Sequence, residues 1–174
     1  NYINKDVGNR NVRRAIYSAL EMSNVMRTTD GEVLPHTYQL GMTEDLCDNF
    51  LGEDFVGNRI QYPHGADLEQ AASYMERAGY SEQNGTWVDS EGEETDIPLV
   101  AHTNMATVAN AISSPLNDFG LNVEASVIGN PNYNETVRNE KDYDMALWSP
   151  YGDWGGVPHP YYFYRIDKHI NLAL

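Results

Sequence analysis

The stretch IPLVAHTNMATVANAISSPLNDFGLNVEASVI, residues 97–128, decides the fold. Its first six residues, Ile97–His102, form an apolar run that reads as a buried strand. From about Asn104 to Phe119 the apolar residues Met105, Ala109, Ile112, Leu116 and Phe119 recur at steps of four and three, the spacing of one helix face. Gly120 ends that pattern, and Leu121–Ile128 alternates as a strand does. Strand, helix and strand within about thirty residues make a βαβ unit, in which the two strands run parallel and the crossover is right-handed. One residue conflicts with the pattern. Pro115 lacks the amide proton of a helical residue and its ring clashes one turn back, so a kink or break is expected near Ser113-Ser114.

Towards the carboxyl end the theme repeats, with a short helix from about Asn134 to Glu140 and a strand at Tyr143–Trp148. The fold class is therefore α/β, a mostly parallel sheet flanked by helices. In such sheets ligands bind beyond the carboxyl ends of the strands, which points to the segment after Trp148, SPYGDWGGVPHPYY. Towards the amino end, Leu68, Ala71, Ala72 and Met75 mark a helix from about Asp67 to Ala78. Asp67 with Gln70 has the form of a capping box, and Gly79 suits the left-handed position just past the helix end. Asn84-Gly85, and more weakly Glu91-Gly92, signal tight turns of a small hairpin around Trp87. Residues 28–66 read as irregular, rich in turn formers. Before them, Val12, Ala15, Ile16, Ala19 and Leu20 define a helix from about Asn11 to Met26, capped by Asn9 or Asn11, with Arg13 and Arg14 on a solvated face beside the apolar stripe.

The chain has 174 residues, enough for a single domain with its own core. It carries 26 acidic against 11 basic residues, a formal net charge of -15, which disfavours nucleic acid and anionic membrane surfaces as partners. The acids are spread along the whole chain and lysine is scarce, a pattern that fits a halophile's salt-adapted surface better than a site for cationic ligands. The opening NYINKDVGNR is no signal peptide, and no apolar run reaches the roughly 20 residues of a membrane-spanning helix. Cys47 stands alone, which excludes an internal disulfide framework and a multi-cysteine zinc site and suits a small buried residue. There is no P-loop, GxGxxG, HExxH or GxSxG motif. His36, His64, His102, His159 and His169 include no metal-ligand pair at helical spacing and read as structural. No catalytic residue and no cofactor is expected.

WSPYGDWGGVPHPYYFYR, residues 148–165, stands apart, with two tryptophans and four tyrosines around one carboxylate, Asp153. Aromatic faces attract cations, and a carboxylate among them can hold an ammonium by a charge-assisted hydrogen bond. Composition alone favours an aromatic loop packed on its own core.

Four segments in order resemble the second lobe of the dipeptide, oligopeptide and nickel solute-binding proteins, solute-binding protein family 5. They are NRNVRRAIYSALEM; DLEQAASYMERAGYSEQNGTWVDSEGEE; IPLVAHTNMATVANAISSPLNDFGLNVEASVI; and YDMALWSPYGDW. Met75 stands where the family usually has leucine, and Ser114-Pro115 departs from its usual polar residues. The resemblance implies a type II periplasmic-binding-protein-like fold. Residues 1–174 would form one domain, part of the second lobe of a two-lobe clamshell, without the first lobe and the C-terminal return segment. It implies capture of a peptide or other small solute for the membrane permease of an ABC transporter, by a monomer that performs no chemistry. The full-length protein would be extracellular or periplasmic and anchored as a lipoprotein. In the peptide-binding branch, an aspartate after the final strand pairs with the peptide amino terminus. That position falls on Asp153, with Trp148, Ser149, Pro150, Tyr151 and Trp154 lining the pocket, while Asp144 is structural. In the nickel branch a histidine of the same region assists, which here is His159. Sugar binding by the same family and a hydrolase on an unrelated α/β scaffold are the remaining alternatives.

Overall fold

The computed structural model describes residues 5–28, 65–140 and 143–147. Three strands, β3 (Ile97–His102), β4 (Val123–Ile128) and β5 (Met145–Leu147), form one sheet in the order β4-β3-β5. Both pairings are parallel. Ile97 stands opposite Val123 and His102 opposite Ile128, while Leu99 stands opposite Met145 and Ala101 opposite Leu147. The alternation of a strand divides the central β3 between two cores. Ile97, Leu99 and Ala101 join the main core with Val12, Ala15, Met75, Leu116 and Leu121. Val100 belongs to a second cluster with Tyr133 and Val137. A sheet covered on both faces buries its middle strand almost completely, which is why IPLVAH is a nearly continuous apolar run.

The βαβ unit is present as the spacing predicts. A 3-10 turn at Thr103–Met105 leads into α5 (Ala106–Asp118), which packs against the sheet before β4. The break expected at Ser113-Ser114 is not there, since the helix runs unbroken through Pro115. Pro115 forfeits its own helical N–H bond, but its carbonyl still accepts the Phe119 N–H at 3.0 Å and the ladder resumes. The Leu121 N–H then bonds the Leu116 carbonyl at 3.0 Å, closing the helix around Gly120 at φ 92.

A single helix over 11–26 is corrected to two, α2 (Arg10–Ala19) and α3 (Met22–Arg27), preceded by one turn, α1 (Lys5–Gly8). Leu20 is extended at φ -90, ψ 130 and interrupts the helical ladder. The Ser18 carbonyl, which a continuous helix would occupy, instead accepts the Asp67 N–H at 2.7 Å. Asn9 caps α2, its side chain accepting from the Asn11 N–H at 2.9 Å. Asp67 likewise caps α4 (Leu68–Ala78), accepting from the Gln70 N–H at 2.9 Å. Because the Asp67 N–H is already committed to Ser18, only half of the predicted capping box forms. Gly79 ends α4 at φ 95.

Arg13 and Arg14 are more than a solvated face. The Arg13 guanidinium donates to the Val7 and Gly8 carbonyls at 2.7 and 3.0 Å, capping α1. Arg14 and Arg77 both lie against the Tyr74 ring, 5.7 and 5.8 Å from its centroid, tying α2 to α4. At the α2–α3 junction the Glu21 carboxyl accepts from the Ser23 hydroxyl and from the Ala66 N–H at 3.2 Å. These two bonds, the Ser23 one first, hold its pKa below the ordinary glutamate value.

The hairpin pairs β1 (Ser81–Gln83) with β2 (Thr86–Val88) through Asn84 and Gly85, both at positive φ (54 and 85) as a twisted two-residue turn needs. Trp87 fastens it to the end of α5. The indole N–H donates to the Phe119 carbonyl at 3.0 Å and the backbone N–H to the Gly120 carbonyl at 3.0 Å. Asp6 is 1% exposed; one carboxyl oxygen accepts from the Tyr80 hydroxyl and the other from the Asp96 N–H at 3.0 Å. One side chain thus holds α1, the start of the hairpin and the entry to β3 together.

Among the described glutamates, all but Glu21 are exposed. Carboxylates so arranged hydrate the surface while repelling one another, and added salt screens that repulsion. Raising NaCl from about 0.1 M to about 2 M is therefore expected to increase the thermal midpoint, measured by circular dichroism. A midpoint indifferent to salt would remove salt adaptation as the reason for the charge.

Candidate solute-facing rim

Because β3, β4 and β5 are parallel, their carboxyl ends, at His102, Ile128 and Leu147, lie on one rim of the sheet. The chain leaves β3 towards β4 on one side and returns from β4 to β5 on the other, so β3 and β5 flank the point where the winding reverses. Ligand crevices of open α/β sheets form at such reversals, beyond the carboxyl ends.

The described part of this rim is polar and tied together. His102 Nδ1 lies 2.7 Å from Asn104 Oδ1 and 3.4 Å from the Asn104 backbone nitrogen. The first contact needs a proton on Nδ1 and the second a lone pair, so one tautomer does not satisfy both. The shorter contact is the better hydrogen bond and holds the His102 ring against Asn104. The His102 ring meets the Tyr133 ring edge to face, centroids 5.5 Å apart. Tyr133 is only 3% exposed and its hydroxyl donates to the Leu147 carbonyl at 2.9 Å. It sits in α6 (Asn132–Asn134), where its N–H bonds the Gly129 carbonyl at 3.0 Å, and the chain continues as a π-type turn over Glu135–Glu140. The helix expected from Asn134 thus begins two residues earlier and includes Tyr133. Asp144 precedes β5 and its N–H bonds the Pro98 carbonyl at 3.1 Å. Burial raises the pKa of neighbouring Tyr143 above the ordinary tyrosine value.

The pocket residues named from the sequence, Trp148, Ser149, Pro150, Tyr151, Asp153 and Trp154, lie outside the described residues, as do His159 and Cys47. β5 ends at Leu147, so residue 148 is the next along the chain from the rim. His102 is held by Asn104 and Tyr133, in keeping with a structural histidine. Tyr133 was not singled out by the sequence. The signal available was indirect, a polar His-Thr-Asn at the carboxyl end of an apolar strand. Among the described residues no three His, Cys, Asp or Glu side chains gather as a metal site would require. No helix of the described residues is long and apolar enough to cross a membrane.

The helices and parallel sheet match the type II periplasmic-binding-protein-like fold of the solved structures described below. The model of the bacterial extracellular solute-binding proteins, family 5 Middle, matches residues 1–171, and the chain belongs to that family. The oligopeptide-binding protein AppA from Bacillus subtilis, in complex with a nonapeptide, superposes with TM-score 0.65 at 18% identity, covering 85% of this chain and 29% of that one. NikZ from Campylobacter jejuni, in complex with Ni(L-His), gives TM-score 0.61 at 15% identity over 92% of this chain and 30% of that one. The periplasmic binding protein MelB from Agrobacterium fabrum, in complex with stachyose, gives 0.65 at 14% identity over 90% and 24%. The chain thus spans less than a third of the length of each of these structures. A sequence comparison with curated proteins returned no match.

Proposed function

We propose that this chain is part of the second lobe of a two-lobe receptor that captures a peptide outside the cytoplasm and presents it to the permease of an ABC importer. In this reading Asp153 accepts a charge-assisted hydrogen bond from the peptide amino terminus, and Trp148, Ser149, Pro150, Tyr151 and Trp154 line the pocket around it. The observation that carries it is the parallel register, which brings the carboxyl ends of β3, β4 and β5 to one rim and makes β5 the immediate approach to WSPYGDW. Membership of family 5 supports the receptor role, and the nonapeptide bound to AppA supports the choice of solute. The exposed acids add a long-range field that draws cationic groups towards the protein.

The test is calorimetry on the full-length protein with peptides of two to five residues. Asp153→Asn is expected to weaken binding roughly 10- to 100-fold, the effect of losing a hydrogen bond to a charged group. Acetylating the peptide amino terminus should do the same to the wild type and little more to the variant. Unchanged affinity in Asp153→Asn would discard the amine grip. Titration with nickel and histidine in the same instrument is the discriminating control. Tight binding there, abolished by His159→Ala, would replace the peptide reading with a metal-chelate one.

A further inference from the structure

Tyr133 joins the two strands that flank the reversal in winding. Its ring packs edge to face with His102 at the carboxyl end of β3, and its hydroxyl donates to the Leu147 carbonyl at the carboxyl end of β5, 2.9 Å away. Among the described residues β5 pairs with β3, with Ala101 opposite Leu147. A buried side chain bonded to the Leu147 carbonyl adds a hold on that strand beyond its ladder. Tyr133 is itself well fixed. It is 3% exposed, clusters with Val100 and Val137, and its backbone N–H is bonded to Gly129.

The geometry points to Tyr133 as a positioning residue for solute capture, one that holds the carboxyl end of β5 without touching the solute. The link to solute rests on the function proposed above; the link to β5 does not. His102 gives the ring of Tyr133 its wall, and the His102–Asn104 hydrogen bond fixes that wall in turn.

Tyr133→Phe in the full-length protein separates this role from simple core packing, because it keeps the ring and deletes the hydroxyl. By amide hydrogen exchange without ligand, the amides of Met145–Leu147 are expected to exchange about tenfold faster, with β4 and α5 unchanged, as one lost hydrogen bond permits. Unaltered exchange there, or a uniform increase across the sheet, would overturn the inference. Affinity for trialanine supplies the second readout. Tyr133→Phe should weaken binding several-fold in the wild-type background and less in Asp153→Asn, since a residue acting through another loses its effect when the other is removed. Equal losses in both backgrounds would mean that Tyr133 acts elsewhere than through the segment carrying Asp153. If Asp153→Asn binds normally while Tyr133→Phe does not, the amine grip fails and the positioning role stands.

Discussion

Gly120→Ala is expected to lower stability by about 3 kcal/mol, combining a left-handed backbone cost of about 1–2 kcal/mol with an overpacking cost of about 1–3 kcal/mol. Gly120 has φ 92, and a Cβ placed there would meet the Gly85 carbonyl oxygen at 2.4 Å and the Thr86 Cα at 3.3 Å. Both obstacles are backbone, held by the Trp87 N–H bond to Gly120 and the indole bond to Phe119, so neither moves without opening the hairpin from α5. Gly79 supplies an internal control. It has φ 95 but nothing within 4 Å of its Cβ position, so Gly79→Ala carries the backbone cost alone, about 1–2 kcal/mol. Urea melts of the two variants measure the difference. Equal losses would show that the hairpin does not approach α5 as closely as described.

Asp6→Ala should cost a similar amount, about 3 kcal/mol, through a different mechanism. Removing the carboxyl, itself 1% exposed, deletes its bonds to the buried Tyr80 hydroxyl and to the part-buried Asp96 N–H, at about 1–3 kcal/mol for the Tyr80 bond and about 1 kcal/mol for the other. Asp6→Asn keeps one acceptor oxygen and should lose less, and Tyr80→Phe, which removes a donor instead of an acceptor, should lose about 1 kcal/mol. The same melts rank the three. An Asp6→Ala protein within about 0.5 kcal/mol of wild type would mean that water reaches both donors.

The fold was legible wherever the hydrophobic period was clean. IPLVAH, the stripe from Met105 to Phe119, and the Asn84-Gly85 turn each carry a local signal that tertiary packing reinforces. The misreadings share a cause. The apolar spacing of α2 continues into Met22 and Val25, so nothing local announces the interruption at Leu20; the Ser18 carbonyl finds its donor in distant Asp67. Pro115 removes one ladder bond, yet the helix runs through it because the stripe from Met105 to Phe119 packs on the core, a tertiary gain that no local signal announces. Asp6 was invisible as a core residue, because a single aspartate in a polar opening segment has no periodic companion. The resemblance pointed to Trp148, Ser149, Pro150, Tyr151, Asp153 and Trp154, which lie outside the described residues, but not to Tyr133, whose hold on β5 is a hydrogen bond to a backbone carbonyl, a partner no side-chain pattern records.

The antiparallel pair α2 and α4 exchanges terminal hydrogen bonds at both ends. Ser18 near the end of α2 accepts from Asp67 at the start of α4, while Asn9 and Asn11 at the start of α2 donate to the Ala78 and Arg77 carbonyls at the end of α4, each at 3.4 Å. Each helix therefore completes the other's ladder, and fraying of one strips protection from its neighbour. The pair is expected to open as one unit, so that native-state proteolysis would release both helices together.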